Sequence, residues 1–213
     1  GSAIAGLWFL EALNIPAAVA DVMSAHLGNG VHLYENGVIS FCNQLAKDCG
    51  VRTGMTVKEA ANLLLTVDSD VRAPSETTNR TIMHTSEDGR HIIATDSIAF
   101  GTDADTGKNV LVTAGHTGRS AVPYLLKCSP WGFICSDGGK GMDNSGIIGL
   151  RIVEKSGLAG ATVDAKLARM GSGLSHYYDG VITAVNLHAK SRGVEIGMSA
   201  SEASLLLLEK RNL

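Results

Sequence analysis

Residues 109–141, NVLVTAGHTGRSAVPYLLKCSPWGFICSDGGKG, decide how this chain is read. Val110 to Val112 form a continuous apolar run, the mark of a strand covered on both faces. The run stops at Thr113-Ala114-Gly115-His116-Thr117-Gly118-Arg119-Ser120, where small and reactive side chains replace the apolar ones. A second apolar run, Trp131 to Cys135, stops in the same way at Ser136-Asp137-Gly138-Gly139-Lys140-Gly141. The pattern is strand, glycine turn, short helix, strand, glycine turn. It predicts an α/β fold in three layers, a mostly parallel sheet flanked by helices. Ligands of open α/β sheets bind outside the carboxyl ends of the strands, so a small molecule is expected at these two turns.

Working outward, the chain repeats itself. Residues 2–65 align without a gap on residues 145–208, and 26 of those 64 positions are identical, far above chance. NGVHLYENGVISFCNQLAKDCGVRTGMTVKEAANLLL answers SGLSHYYDGVITAVNLHAKSRGVEIGMSASEASLLLL. The match reads as an internal duplication. Ser2 and Ser145 are expected to cap helices that end near Asn14 and Gly157. Strands are expected at Ala17–Val22 and Ala159–Val163. Tyr34, Val38, Ile39, Cys42, Leu45, Ala46 and Cys49 make an apolar stripe at helical spacing, which Tyr177, Val181, Ile182, Val185 and Ala189 repeat. Asn43 and Asn186 would then lie inside helices and hydrogen-bond to a loop. Thr56 to Glu59 and Ser199 to Glu202 read as capping boxes opening a last helix.

This divides the chain into a first half-repeat, residues 1–67 (helix, strand, helix, helix), a polar linker, 68–80, and a complete α/β unit, 81–213. Within the complete unit, Thr81–Ser86 and His91–Ile98 read as a hairpin turned by Glu87-Asp88-Gly89-Arg90. Asp103-Ala104-Asp105-Thr106-Gly107 has part of a calcium-loop pattern but lacks its other ligands, so an ordinary turn is expected. Residues 81–144 have no counterpart before the first half-repeat. Either the chain is a fragment or processed product of a longer two-repeat protein, or another chain supplies the missing strands, or the first half-unit packs as an extra layer. Its apolar faces are expected to need a partner, a homo-oligomer or a companion chain supplying the missing front half.

Composition narrows the functions. Apolar content of 45% fits a packed glycine-rich protein, and a net charge of -3 argues against nucleic acid. No apolar run approaches the ~20 residues of a membrane span. Cys42, Cys49, Cys128 and Cys135 follow neither a CxxC nor a zinc spacing, so reduced thiols and a cytoplasmic setting are expected.

The candidate chemistry lies at the strand ends. Gly115 and Gly118 allow close backbone approach, Arg119 can clamp a carboxylate or phosphate, and His116 can shuttle a proton near neutral pH. A helix beginning near Ser120 would aim free N–H groups at an anion. Asp137 directly follows a buried strand, where a carboxylate is costly unless it binds something. Gly138 and Gly139 surround it and Lys140 adds a cation. Without a ligand, Asp137 would simply bond its own backbone in an Asx-turn. Asp164 and Asp96 also follow apolar runs, so a hard-metal site would need the four strand ends to converge. Arg169 stands where the first copy has His26, beside Gly171 and Gly173, and is a further anion contact. No cofactor motif is present, and no motif dictates a metal. The reading is an enzyme gripping an anionic substrate by Gly115, Gly118, Arg119, Gly138, Gly139, Lys140, Asp164 and Arg169. His116, Asp137 and Ser120 would be its catalytic groups. Hydrolysis is the first expectation, a lyase or isomerase the next, and a non-catalytic sensor subunit the alternative.

Overall fold

The computed structural model describes residues 4, 6–68 and 80–209. The expected Ser2 cap and nearly all of the 68–80 linker lie outside those residues. Contacts divide the chain into two units, Gly1–Thr77 with Gly141–Asp143, and Thr78–Lys140 with Asn144–Leu213. No described helix is long and apolar enough to cross a membrane.

The first unit runs α1 (Gly6–Ala12), β1 (Ala18–Ala20), α2 (Gly30–Asn36), β2 (Ile39–Cys42), α3 (Gln44–Asp48) and α4 (Val57–Leu64). Its small core holds Ile39, Cys42, Ala46, Val51 and Ala60. The stripe expected as one helix is instead a helix, a strand and a helix. Gly37 ends α2 in extended backbone, and glycine stands there because a side chain would collide with the Leu33 carbonyl. The β-branched Ile39 then enters a strand antiparallel to β1. Asn43 is not inside a helix but caps α3. Its Oδ1 accepts from the Ala46 and Ala17 N–H groups, while its Nδ2 donates to the Ile15 carbonyl. Thr56 and Glu59 form the expected capping box.

The second unit adds β3 (Arg80–Thr85), β4 (His91–Thr95), β5 (Val110–His116), α5 (Val122–Cys128), β6 (Gly132–Ser136), α6 (Ile148–Glu154) and β7 (Ala159–Val163). It closes with α7 (Gly173–Asp179), β8 (Ile182–Val185), α8 (Leu187–Ser191) and α9 (Ala200–Leu208). Six strands lie side by side in chain order, β3 to β8. The four inner strands, β4 to β7, are parallel, and β3 and β8 are antiparallel edges. The architecture is thus α/β with a mostly parallel sheet. Helices cover both faces: α5 and α6 pack with Ile93, Leu111, Phe133 and Cys135. Residues of α8 and α9 pack with Ile92, Val110, Ile134 and Ala161.

Several expected boundaries move. β5 does not stop at Val112 but runs to His116, because Thr113 and Ala114 are small enough to stay buried in the ladder. β4 ends at Thr95, and Ile98–Phe100 form a 3-10 turn capped by Ser97. Ser145 does not cap α6: Asp143 and Asn144 take left-handed backbone, φ 53 and 57, and the helix starts only at Ile148 without a side-chain cap. The second apolar stripe breaks into α7, β8 and α8, just as the first breaks in its own unit. Asn186 caps α8, accepting from the Ala189 and Gly160 N–H groups and donating to the Leu158 carbonyl. The Asp103–Asp105 turn is a structural knot. Fully buried Asp105 binds Arg80, Asn109 and the Thr102 N–H. Burial raises the Asp105 carboxyl, but these partners outweigh it and hold the group below its ordinary pKa.

Asn186 is buried, and losing its amide removes a helix cap and orphans the Gly160 N–H and the Leu158 carbonyl. Asn186→Ala is expected to destabilise the second unit by ~3 kcal/mol, read as a lower urea midpoint at unchanged slope.

Candidate functional site

The C-terminal ends of β4, β5, β6 and β7 form one edge and carry Asp96, His116, Asp137 and Asp164 in that spatial order. His116 and Ser136 are register partners, so the two glycine turns of the opening stretch do lie side by side. With strands ~4.8 Å apart, the four groups make a row about 14 Å long rather than a cluster. Among the described residues, no three His, Cys, Asp or Glu side chains are placed to hold a metal ion.

The strand order never reverses, yet the chain does switch sides here. After β4, β5 and β6 it departs to the face of Leu111 and Phe133, bringing Ile98, Leu125 and Leu150 there. After β7 it departs to the opposite face, where Ala168 and Tyr177 join Val112 and Val163. Opposite departures open the edge between β6 and β7, the kind of place where α/β sheets bind ligands. Asp137 stands in that opening.

Asp137 is buried and fully engaged. One carboxylate oxygen accepts from the Gly139 and Ala165 N–H groups at 2.9 and 3.0 Å, and the other from the Thr183 hydroxyl at 3.1 Å. It closes an Asx-turn and also ties β6 to the loop after β7 and to β8. Asp164 accepts from the Lys166 N–H, and Asp96 from the Gly173 N–H at the start of α7. Gly173 is required there, since a side chain would strike the Thr95 backbone. The strand-end carboxylates thus serve the backbone of the loops that cross the edge.

His116 is half-buried. Its Nδ1 accepts from the Gly118 N–H at 2.9 Å, so the neutral ring carries its proton on Nε2. Burial lowers its pKa and favours that neutral form. Gly118 packs against this ring and against the Ser145 carbonyl, which explains the glycine by close approach. Gly115 lies within β5. Ser120 lies exposed in a 3-10 turn, Arg119–Ala121, that precedes α5 and has no side-chain cap. Arg119, Lys140 and Arg169 are exposed, and Gly138, Gly139 and Lys140 share left-handed backbone with φ of 61, 69 and 66. A non-glycine residue in that conformation inside a strand-end loop marks stored strain of the sort found at binding sites. A cavity of about 650 Å³ lies elsewhere, between the β3–β4 hairpin and α9, lined by His84, Arg90, Leu205 and Leu208 among others.

Sequence reasoning missed His176. It projects from α7, is fully buried, and its Nδ1 lies 3.0 Å from the Ser172 carbonyl, which places the proton on Nδ1. The bare Nε2 is buried without a hydrogen-bond partner. Desolvation lowers the His176 pKa, partly offset by the Ser172 and Arg169 carbonyls and the Asp137 and Asp96 charges. A signal existed: at the repeat offset the first half-repeat has Leu33, so an ionisable group replaces an apolar one.

The folded chain holds His176 and His116 neutral, while the unfolded chain takes up their protons near pH 6.5. Stability from these groups is therefore whole above about pH 7 and is lost as pH falls toward their depressed folded values. The urea midpoint should drop between roughly pH 7 and 5, and less steeply in His176→Leu. Asp137→Ala, which strands three donors, should cost ~3 kcal/mol at any of these pH values in the same assay.

No protein-family model matches this chain, and no curated protein or solved structure matches it either.

Proposed function

We propose that the second unit binds a small anionic molecule at the β5–β7 edge and acts on it as an enzyme of hydrolase type, with His116 supplying the proton. The observation that carries this is His116 itself. Its Nδ1 is fixed by the Gly118 N–H, and its Nε2–H has no partner among the described residues at a strand end beside the β6–β7 opening. A neutral, oriented imidazole of this kind donates to a carboxylate, carbonyl or phosphoryl oxygen and can pass the proton on as that oxygen gains charge. Arg119, Lys140 and Arg169 supply exposed positive charge, and Gly138 and Gly139 allow close backbone approach. Asp164 borders the opening. Asp137 becomes the group that holds the loops of this edge in place rather than a base, and Ser120 a candidate contact rather than a nucleophile. The same donation serves a lyase or isomerase.

One observation favours a second reading, binding without turnover. Both oxygens of Asp137 already accept hydrogen bonds, so Asp137 is not placed to act as a free base beside His116. Four free cysteines fit a reducing, cytoplasmic setting for either reading.

We also read the two units as products of a duplication. Bonds recur at the repeat offset: the Asn43 and Asn186 clamps, the Val38–Thr56 and Val181–Ser199 bridges, and backbone N–H bonds to Met55 and Met198 sulfur.

A calorimetric panel of small carboxylates and phosphate esters tests the function. Wild type is expected to bind at least one, His116→Ala to bind it roughly tenfold to a hundredfold more weakly, and His116→Gln to fall between. His116-dependent turnover of that ligand identifies the enzyme; unchanged ligand on prolonged incubation identifies the binding module. Equal affinity in wild type and His116→Ala, or no binding across the panel, overturns both.

A further inference from the structure

We propose that the second unit carries a separate site for a small zwitterion with an apolar side chain, an amino acid or dipeptide, in the cavity between the β3–β4 hairpin and α9. The site is distinct from the strand-end edge and does not depend on the reading of His116. The cavity holds about 650 Å³, within the range of small-molecule pockets, and both charged residues of the hairpin and apolar residues of α9 line it.

Arg90 carries the argument. It is only 8% exposed and lies in the cavity wall, where an arginine is costly unless its donors find acceptors. Its Nε donates to the two oxygens of Asp88 at 3.0 and 2.9 Å, and its guanidinium carbon stands 5.4 Å from the centre of the Trp131 ring. Nη1 is buried with no hydrogen-bond partner among the described residues. Arg192 stands over the same ring at 4.3 Å, and among the described residues Asp88 is the one carboxylate ion-paired to either arginine. The group therefore holds two guanidiniums against one carboxylate. Turning Nη1 to a carboxylate in the cavity would give it the acceptor it lacks, through a charge-assisted bond.

The opposite charge lines the cavity too. Glu87 and Glu209 are exposed and make no ion pair among the described residues, so each keeps a full negative charge for an ammonium group. Leu205 and Leu208 supply the apolar wall. Leu205 is 40% exposed, and at the repeat offset the first half-repeat has the polar, exposed Asn62. A cation alone would leave Arg90 without its acceptor, and an anion alone would meet Glu87 and Glu209. A molecule with an ammonium, a carboxylate and an apolar side chain matches all three features at once.

Calorimetry on the full chain with leucine and leucyl-leucine tests this, beside 4-methylpentanoate, which lacks the ammonium, and 3-methylbutylamine, which lacks the carboxylate. Wild type is expected to bind at least one zwitterion, and each single-charge analogue roughly tenfold or more weakly. Arg90→Gln should lose about tenfold or more in affinity, Leu205→Asn and Glu209→Gln roughly fivefold each, and His116→Ala nothing. Circular dichroism checks that Arg90→Gln is folded; if it is not, the two variants at exposed positions decide. No binding of either zwitterion overturns the proposal, as does unchanged affinity in both Leu205→Asn and Glu209→Gln. Equal affinity for 4-methylpentanoate would make this a plain carboxylate site, and equal affinity for the amine a cation site; either result overturns the zwitterion. Loss of binding in His116→Ala overturns it too, by assigning the ligand to the strand-end edge, whereas failure here leaves the reading of that edge to its own panel.

Discussion

A buried carboxylate at the end of β6 holds this architecture together. Parallel strands end with backbone groups that have no ladder partner, and in the second unit the carboxylate at the end of β6 is buried among them. Each N–H left there needs an acceptor or costs about as much as a lost hydrogen bond. Asp137 answers three donors at once, two backbone N–H groups and the Thr183 hydroxyl. It thereby decides where the chain turns after β6, where it re-enters after β7, and how β8 leans on both. Asp96 and Asp164 do the same work for one N–H each.

The opposite ends of the helical layers are fixed by amides rather than carboxylates. Asn43 and Asn186 each close the first turn of a short helix and reach back across the chain to the backbone entering a strand. A side chain with both an acceptor and a donor is needed, because one N–H and one carbonyl of that backbone are otherwise unpaired. Polar groups at these positions therefore report on backbone satisfaction, and only what is left over is available for chemistry. At the strand-end edge the remainder is His116, whose Nδ1 is fixed and whose Nε2 has no partner among the described residues.

The candidate strand-end edge was partly legible in residues 109–141. Two apolar runs followed by glycine turns became adjacent parallel strands with His116 and Ser136 in register. Whether Asp137 faces a ligand or a backbone depends on the loop after β7 and on Thr183 in β8, and that strand was hidden inside what read as a helical stripe. Spacing alone could not separate a helix from a helix–strand–helix there, since Val181, Ile182 and Val185 satisfy both periods over so short a span. His176 escaped notice because burial comes from α7 packing on β4 and β5, which no local pattern encodes.

By itself the sequence determined the class of the fold, the two strand ends that meet, the hairpin between β3 and β4, the capping residues of α4 and α9, and the self-match of residues 2–65 with 145–208. Those are properties of periodicity, of cap chemistry and of identity along one chain, and each is set within a few residues. Only the tertiary structure decided that the strands run in chain order, that the path after β7 departs to the other face, and that three aspartates are spent on backbone donors. Each of these depends on which distant group arrives to share a buried hydrogen bond, and that is settled by packing, not by neighbours in sequence.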